Sequence, residues 1–114
     1  ITTDLVSSMG GTVDLHIDVG YPCVMNNEKV NASARKKAEE YMGAKYVSET
    51  ELRMGAEDFG YYAQQIPACF YRLGTMNTAK GITAGVHTPV FNIDESAIET
   101  GMGMMAWMGS SLEV

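Results

Sequence analysis

Several groups of residues in this chain could do chemistry. His87 lies between Val86 and Thr88-Pro89, behind a long Gly/Thr-containing stretch from Gly74 to Val86. A histidine on a constrained loop can hold a metal or move a proton near neutral pH. Taken alone, a single loop histidine reads equally well as structural or exposed. Glu57 and Asp58 are adjacent acids. At a helix start such a pair is favoured by the positive end of the helix dipole, which explains them without any site. Asp14, His16 and Asp18 alternate along one face and form an O/N/O trio that could meet a metal. A solvated strand face carries the same pattern, and one strand rarely supplies a whole coordination sphere. Cys23 and Cys69 lack metal-type spacing and read as free thiols of a reducing compartment, the cytoplasm.

These side chains need elements to position them. Ile1 to Met9 reads as the tail of a helix ended by Gly10-Gly11. From Thr12 to Val19 the chain alternates, with Val13, Leu15, Ile17 and Val19 on one side, which predicts a half-buried strand closed by Gly20-Tyr21-Pro22. Asn26 and Asn27 can both cap a helix with an apolar stripe at Val30, Ala34, Ala38 and Tyr41, stopped at Gly43. Arg35 with Glu39 and Lys36 with Glu40 are i,i+4 pairs, so Arg35-Lys36-Lys37 reads as a solvated face. Ala44 to Val47 is a short strand candidate. A second helix is expected from Ala56 to Gln65, stopped by Pro67, and then an aromatic-rich strand from Ala68 to Leu73. Gly74 to Val86 has no periodicity, and loops of that length are often functional.

The last helix should start at Asp94 or Glu95. Ile98, Met102, Met105 and Leu112 make one stripe, with Ala97, Gly101, Met104 and Met108 beside it. So wide an apolar surface predicts a largely buried helix whose methionines fill a core. Strands alternating with helices predict an α/β layer architecture, a sheet with packed helices.

Composition sets the outer limits. The chain has 114 residues, 46% of them hydrophobic and 19% charged, with a net charge of −6. That is ordinary globular usage, enough for one core. The acidic balance argues against nucleic acid or an anionic membrane as partner. No apolar run approaches the roughly 20 residues that span a bilayer. No charged segment followed by an apolar one precedes Ile1, so no secretion signal is expected.

Three segments together are more specific than any one of them. Met54-Gly55-Ala56-Glu57-Asp58-Phe59 resembles the Gly-x-Glu-Asp-Phe motif of M20-type metallopeptidases of the amidohydrolase subgroup, which contains aminoacylases, hippurate hydrolases and auxin-conjugate hydrolases. Ile66 to Gly74 is similar to the family's Pro-Gly-x-Phe-x-x-Leu-Gly stretch. His87-Thr88-Pro89-Val90-Phe91-Asn92-Ile93-Asp94-Glu95 is similar to its His-[Ser/Thr]-Pro-x-Phe-x-x-Asp-Glu signature, and Tyr21-Pro22 to Asn26-Asn27 resembles its Tyr-Pro-x-x-x-Asn segment. Ala68 replaces the usual glycine, and Cys23 a common second proline.

The resemblance implies that residues 1–20 are the end of a lid or dimerisation domain, with its last strand. It makes residues 21–114 the C-terminal part of a zinc-peptidase-like α/β catalytic domain. It implies a metal-dependent amidohydrolase acting on N-acyl amino acids or related small amides and peptides. Two divalent ions would serve it, zinc with manganese or cobalt as alternatives, and the lid would make a homodimer. His87 becomes a metal ligand. Glu57, Asp58, Gly74 and Gly85 fall near the active site, with Asp58 capping its helix and the Gly74–Val86 loop as a substrate wall. The general base and remaining ligands have no matching motif here, so these residues by themselves should be inactive and hold zinc weakly. The competing reading is a noncatalytic binding or assembly module. With either, the Thr12–Val19 strand could pair with a second copy.

Overall fold

The structure, a computed structural model, describes residues 1–53 and 55–111. Met54 of the Glu-Asp-Phe motif and Leu112 of the last apolar stripe lie outside the described residues. Four α-helices are present: α1 (Thr2–Ser8), α2 (Glu28–Met42), α3 (Phe59–Gln65) and α4 (Ser96–Ser111). Single 3-10 turns occur at Ala44–Tyr46 and Thr78–Lys80.

Local capping chemistry explains where the helices begin and end. Asn27 starts α2, its side-chain oxygen accepting from Lys29 N–H at 3.1 Å and Val30 N–H at 3.2 Å. This satisfies donors that a helix start leaves without partners. Gly43, at φ 93°, ends α2, and Gly10, at φ 77°, follows α1, as expected for residues without a Cβ.

The expected α/β sheet is not there. Among the described residues there is no β-strand, and pairing is limited to one isolated antiparallel bridge between Asn77 and Ile82. The Thr12–Val19 segment forms neither helix nor strand and lacks a ladder partner. Its apolar face lies open, from Val13 at 38% exposure to Val19 at 93%. Alternation marks a face that could be buried, but a strand also needs a neighbour to take its N–H and C=O groups. Ala44–Tyr46 is a 3-10 turn rather than a strand. Ala68–Leu73 likewise has no neighbouring strand. There the Asn26 side chain stands in for one, accepting from Phe70 N–H at 2.7 Å and donating to Phe70 C=O at 3.0 Å. Asn27 N–H donates to Ala68 C=O at 2.9 Å beside it.

The core lies between α2 and α4. Ala34, Met104 and Met108 are buried together, with Ala38, Met42 and Cys69 packed against them. Val30 is buried further along α2. Two expectations about faces change here. On α2, Met42 joins the core while Tyr41 stays 44% exposed. On α4 the buried row is Met104 and Met108, four residues apart as one helix face requires. The stripe through Ile98, Met102 and Met105 is at least half exposed. Gly103 lets α4 approach α2, since a Cβ there would run into the Tyr41 hydroxyl. Of the charged pairs expected on α2, Arg35–Glu39 forms, and Arg35 also reaches Glu49 at 2.6 Å. Glu40 pairs with Lys37 rather than Lys36.

The chain is extended, 63 × 39 × 19 Å with a radius of gyration of 20.4 Å. A compact chain of this length would have a radius near about 13 Å. Its accessible surface is 9,513 Å². A compact protein of this mass would expose about 6,100 Å². No described helix is long and apolar enough to cross a membrane.

Candidate functional site

The loop that carries His87 is closed at its base. Asp94 N–H donates to Thr75 C=O at 2.9 Å, and Asn77 and Ile82 exchange both backbone hydrogen bonds at 2.9 Å. The Thr78–Lys80 turn fits inside this bridge, with Gly81 in the left-handed region at φ 70°. Asp94 is buried at 7% exposure. Its carboxylate accepts from Lys80 Nζ at 2.7 Å, from the Asn77 side-chain amide, and from Ser96 N–H at 3.3 Å. The Lys80 ammonium, then the Asn77 amide, hold its carboxyl well below the usual carboxylate range.

His87 stands beyond this base with its backbone at φ 65°, the one non-glycine residue in the left-handed region among the described residues. Histidine is among the residues enriched there, and strained backbone gathers at functional sites. Thr88 fastens the turn, its hydroxyl donating to Gly85 C=O at 2.9 Å, and Phe91 N–H donates to Thr88 C=O at 3.1 Å. His87 is exposed.

The acidic pair sits at the start of α3, and the capping falls to Glu57 rather than to the expected Asp58. Asp58 is the residue before the helix, yet its side chain makes no capping bond. Glu57 does so instead, its Oε1 accepting from Phe59 N–H at 3.3 Å. Asp58 already has helical backbone angles, φ −69° and ψ −20°, rather than the extended ones that aim a capping side chain back at the helix. Around α3 the resembling segments converge. Phe59 packs on Phe70 at 5.3 Å between ring centroids, and Tyr21 meets Tyr61 edge-on at 5.9 Å. Gly60 lies against Pro22, whose carbonyl oxygen is 2.5 Å from where a Cβ would stand.

Gly74 and Gly85 face open space, with nothing within 4 Å of a built Cβ. Gly74 borders an open groove of ≈ 610 Å³ between the α2–α4 core and the 69–74 segment, a feature sequence reasoning missed. Burial pushes the Cys69 thiol up, which keeps it protonated and poorly nucleophilic at neutral pH. Cys23 and Cys69 are both free. His16 lies 2.8 Å from Asp18, both exposed, and Asp14 does not complete a trio. Among the described residues no three His, Cys, Asp or Glu side chains gather as a metal site. No described hydrogen bond or ion pair joins His87 to Glu57 or Asp58. The Lys80–Asp94–Asn77 network was also missed. Its one local signal is Asn77-Thr78-Ala79-Lys80-Gly81, an asparagine-led turn closing on a left-handed glycine.

The sequence pattern of peptidase family M20/M25/M40 matches residues 4–108. The chain belongs to that family. As an M20 chain it is 34% identical over 86 residues, 75% of its length, to IAA-amino acid hydrolase ILR1-like 6 of Arabidopsis thaliana. It is 35% identical over 81 residues, 71% of its length, to thermostable carboxypeptidase 2 of Saccharolobus solfataricus. It is 27% identical over 106 residues, 93% of its length, to the putative amidohydrolase YhaA of Bacillus subtilis. The matched stretches cover 18%, 20% and 27% of those three relatives, so the M20 chain spans about a fifth to a quarter of their length. No solved structure matches it.

Proposed function

We propose that these residues are the C-terminal portion of a metal-dependent amidohydrolase that cleaves the amide bond of N-acyl amino acids or related small amides and peptides. The observation that carries this reading is His87, set in a left-handed turn within the His-Thr-Pro segment of an M20 chain. Family membership and relatives named for hydrolysis of amino-acid conjugates and peptides support it.

In this reading residues 1–20 belong to a lid through which two copies pair, and residues 21–114 to the catalytic domain. His87 offers an imidazole as one ligand to a divalent ion, zinc first, with manganese and cobalt as alternatives, and two ions serve the site. A catalytic zinc takes about three protein ligands, so the other ligands and the general base come from outside these residues. When bound, the metal supplies Lewis-acid activation of water and of the amide carbonyl. The chain's own task is placement: the Gly85–Thr88 turn aims His87, Glu57 anchors the start of α3, and Gly74 and Gly85 leave room for substrate. Free thiols at Cys23 and Cys69 suit a reducing, cytoplasmic setting.

The test is to express the longest reading frame containing these residues and assay N-acetyl and N-benzoyl amino acids with zinc, manganese and cobalt. His87→Ala should lower hydrolysis at least about a hundredfold while leaving the fold unchanged. The 114 residues alone should neither hydrolyse these substrates nor retain zinc through dialysis. Full activity in His87→Ala, or in the isolated chain, would overturn the reading. A noncatalytic assembly module draws support from the large exposed surface; inactivity of the longer protein with every metal would favour it.

A further inference from the structure

Both ends of the segment that carries His87 are tied through one residue. Residues 83–93 leave the loop base at Ile82, which is paired with the Asn77 backbone, and return at Asp94, which accepts from the Asn77 side chain. Lys80, on the turn between Asn77 and Ile82, donates to the same carboxylate at 2.7 Å. Thr75 C=O takes the Asp94 N–H, closing the base from the other side. Asp94 also accepts from Ser96 N–H at the start of α4, so the loop base and the helix of the core share one buried carboxylate. We propose that Asp94, held by Lys80 and Asn77, is the positioning residue of the His87 loop.

The physical argument is about loop freedom. A loop of this length samples many conformations unless its ends are held, and holding them removes much of that entropy. Within the segment the structure gives few other restraints: Thr88 to Gly85, Phe91 to Thr88, and the Asn92 side chain to Ile93 N–H. These shape the turn internally but do not fix it to the rest of the chain. That task falls to the base. Freeing the base returns that entropy to the loop, and it must be lost again whenever His87 binds.

This inference rests on the ligand reading of His87, and the experiment separates the two. The longest reading frame containing these residues is labelled with ¹⁵N and titrated with zinc chloride alone while the His87 ring nitrogens, assigned by their loss in His87→Gln, are followed by NMR. Zinc should shift those resonances in the parent. Asp94→Asn and Lys80→Met should each weaken the response severalfold by loosening the loop, and Lys80→Arg, which keeps the cation, should titrate like the parent. Lys80 is 58% exposed, so Lys80→Met spares the core should Asp94→Asn fail to fold. A parent that responds while both variants respond equally would overturn the positioning role and leave ligation standing. A parent whose His87 resonances ignore zinc would overturn ligation and positioning together.

Discussion

The Lys80 ammonium lies 2.7 Å from the Asp94 carboxylate, joining residues fourteen apart in sequence at the base of the loop that carries His87. One partner is more than half exposed and the other is 10% exposed. The hydrogen bonds from Lys80 and then Asn77 hold the Asp94 carboxyl below its ordinary range, against the opposing effect of burial.

That pair predicts an acid-sensitive loop. The carboxyl of Asp94 titrates below its ordinary value when folded, chiefly because of Lys80 and then Asn77. Its contribution is fully present above the unfolded carboxylate range, about pH 4, and is lost as pH falls through the lower folded value. Amide protection factors at Asn77, Ile82 and Asp94, taken relative to intrinsic exchange at each pH, should thus hold from neutral pH to about pH 4 and fall below it. In Lys80→Met this acid-dependent loss should be smaller, because the folded carboxyl value moves back toward the unfolded one.

Two glycines should respond in opposite directions. Gly60→Ala places a Cβ 2.5 Å from the Pro22 carbonyl oxygen, a backbone atom that cannot swing aside. It should cost about 1–3 kcal/mol. Gly109→Ala meets nothing within 4 Å on α4 and should stabilise by about 0.5–1 kcal/mol. Urea midpoints for the two variants give the signs directly.

The methionines of α4 separate by face. Met108 is 8% exposed and packs against Ala34, so Met108→Ala should cost about 2–5 kcal/mol. Met102 is 65% exposed, and Met102→Ala should stay within about 0.5 kcal/mol. Equal effects in thermal melts would contradict the buried row through Met104 and Met108.

His87 should show a trade between stability and function. At φ 65° a side chain is disfavoured, and His87→Gly should stabilise the chain by about 1 kcal/mol. The same change should abolish the zinc response proposed for this position. A destabilised His87→Gly would mean that the imidazole is itself a packing residue.

Residues whose partners lie close by were readable from the chain. Asn27 caps α2, Gly10 and Gly43 sit just past their helices, and Arg35 meets Glu39 one turn on. Family membership was readable too, because spaced motifs at Glu57-Asp58-Phe59 and His87-Thr88-Pro89 survive without any geometry. The sheet was the largest error. Period-two alternation from Thr12 to Val19 describes which side chains share a face, whereas a strand exists only where another backbone pairs with it. Asp58 as the cap of α3 failed on a smaller scale, since a half-turn difference in backbone angles handed that role to Glu57.

The order of residues thus settled the limits of α2, the C-terminal ends of α1 and α3, and the family, all of which depend on short-range contacts or on spacing, while α3 begins at Phe59 rather than the expected Ala56. Folding in three dimensions decided which face of α4 is buried, that Asn26 substitutes for a strand beside Phe70, and that Lys80 and Asn77 converge on Asp94. Each of those joins groups distant along the chain, and no local preference encodes which distant group will arrive. The free energy of a buried face or a buried carboxylate depends on what packs against it, so those outcomes belong to the assembled structure.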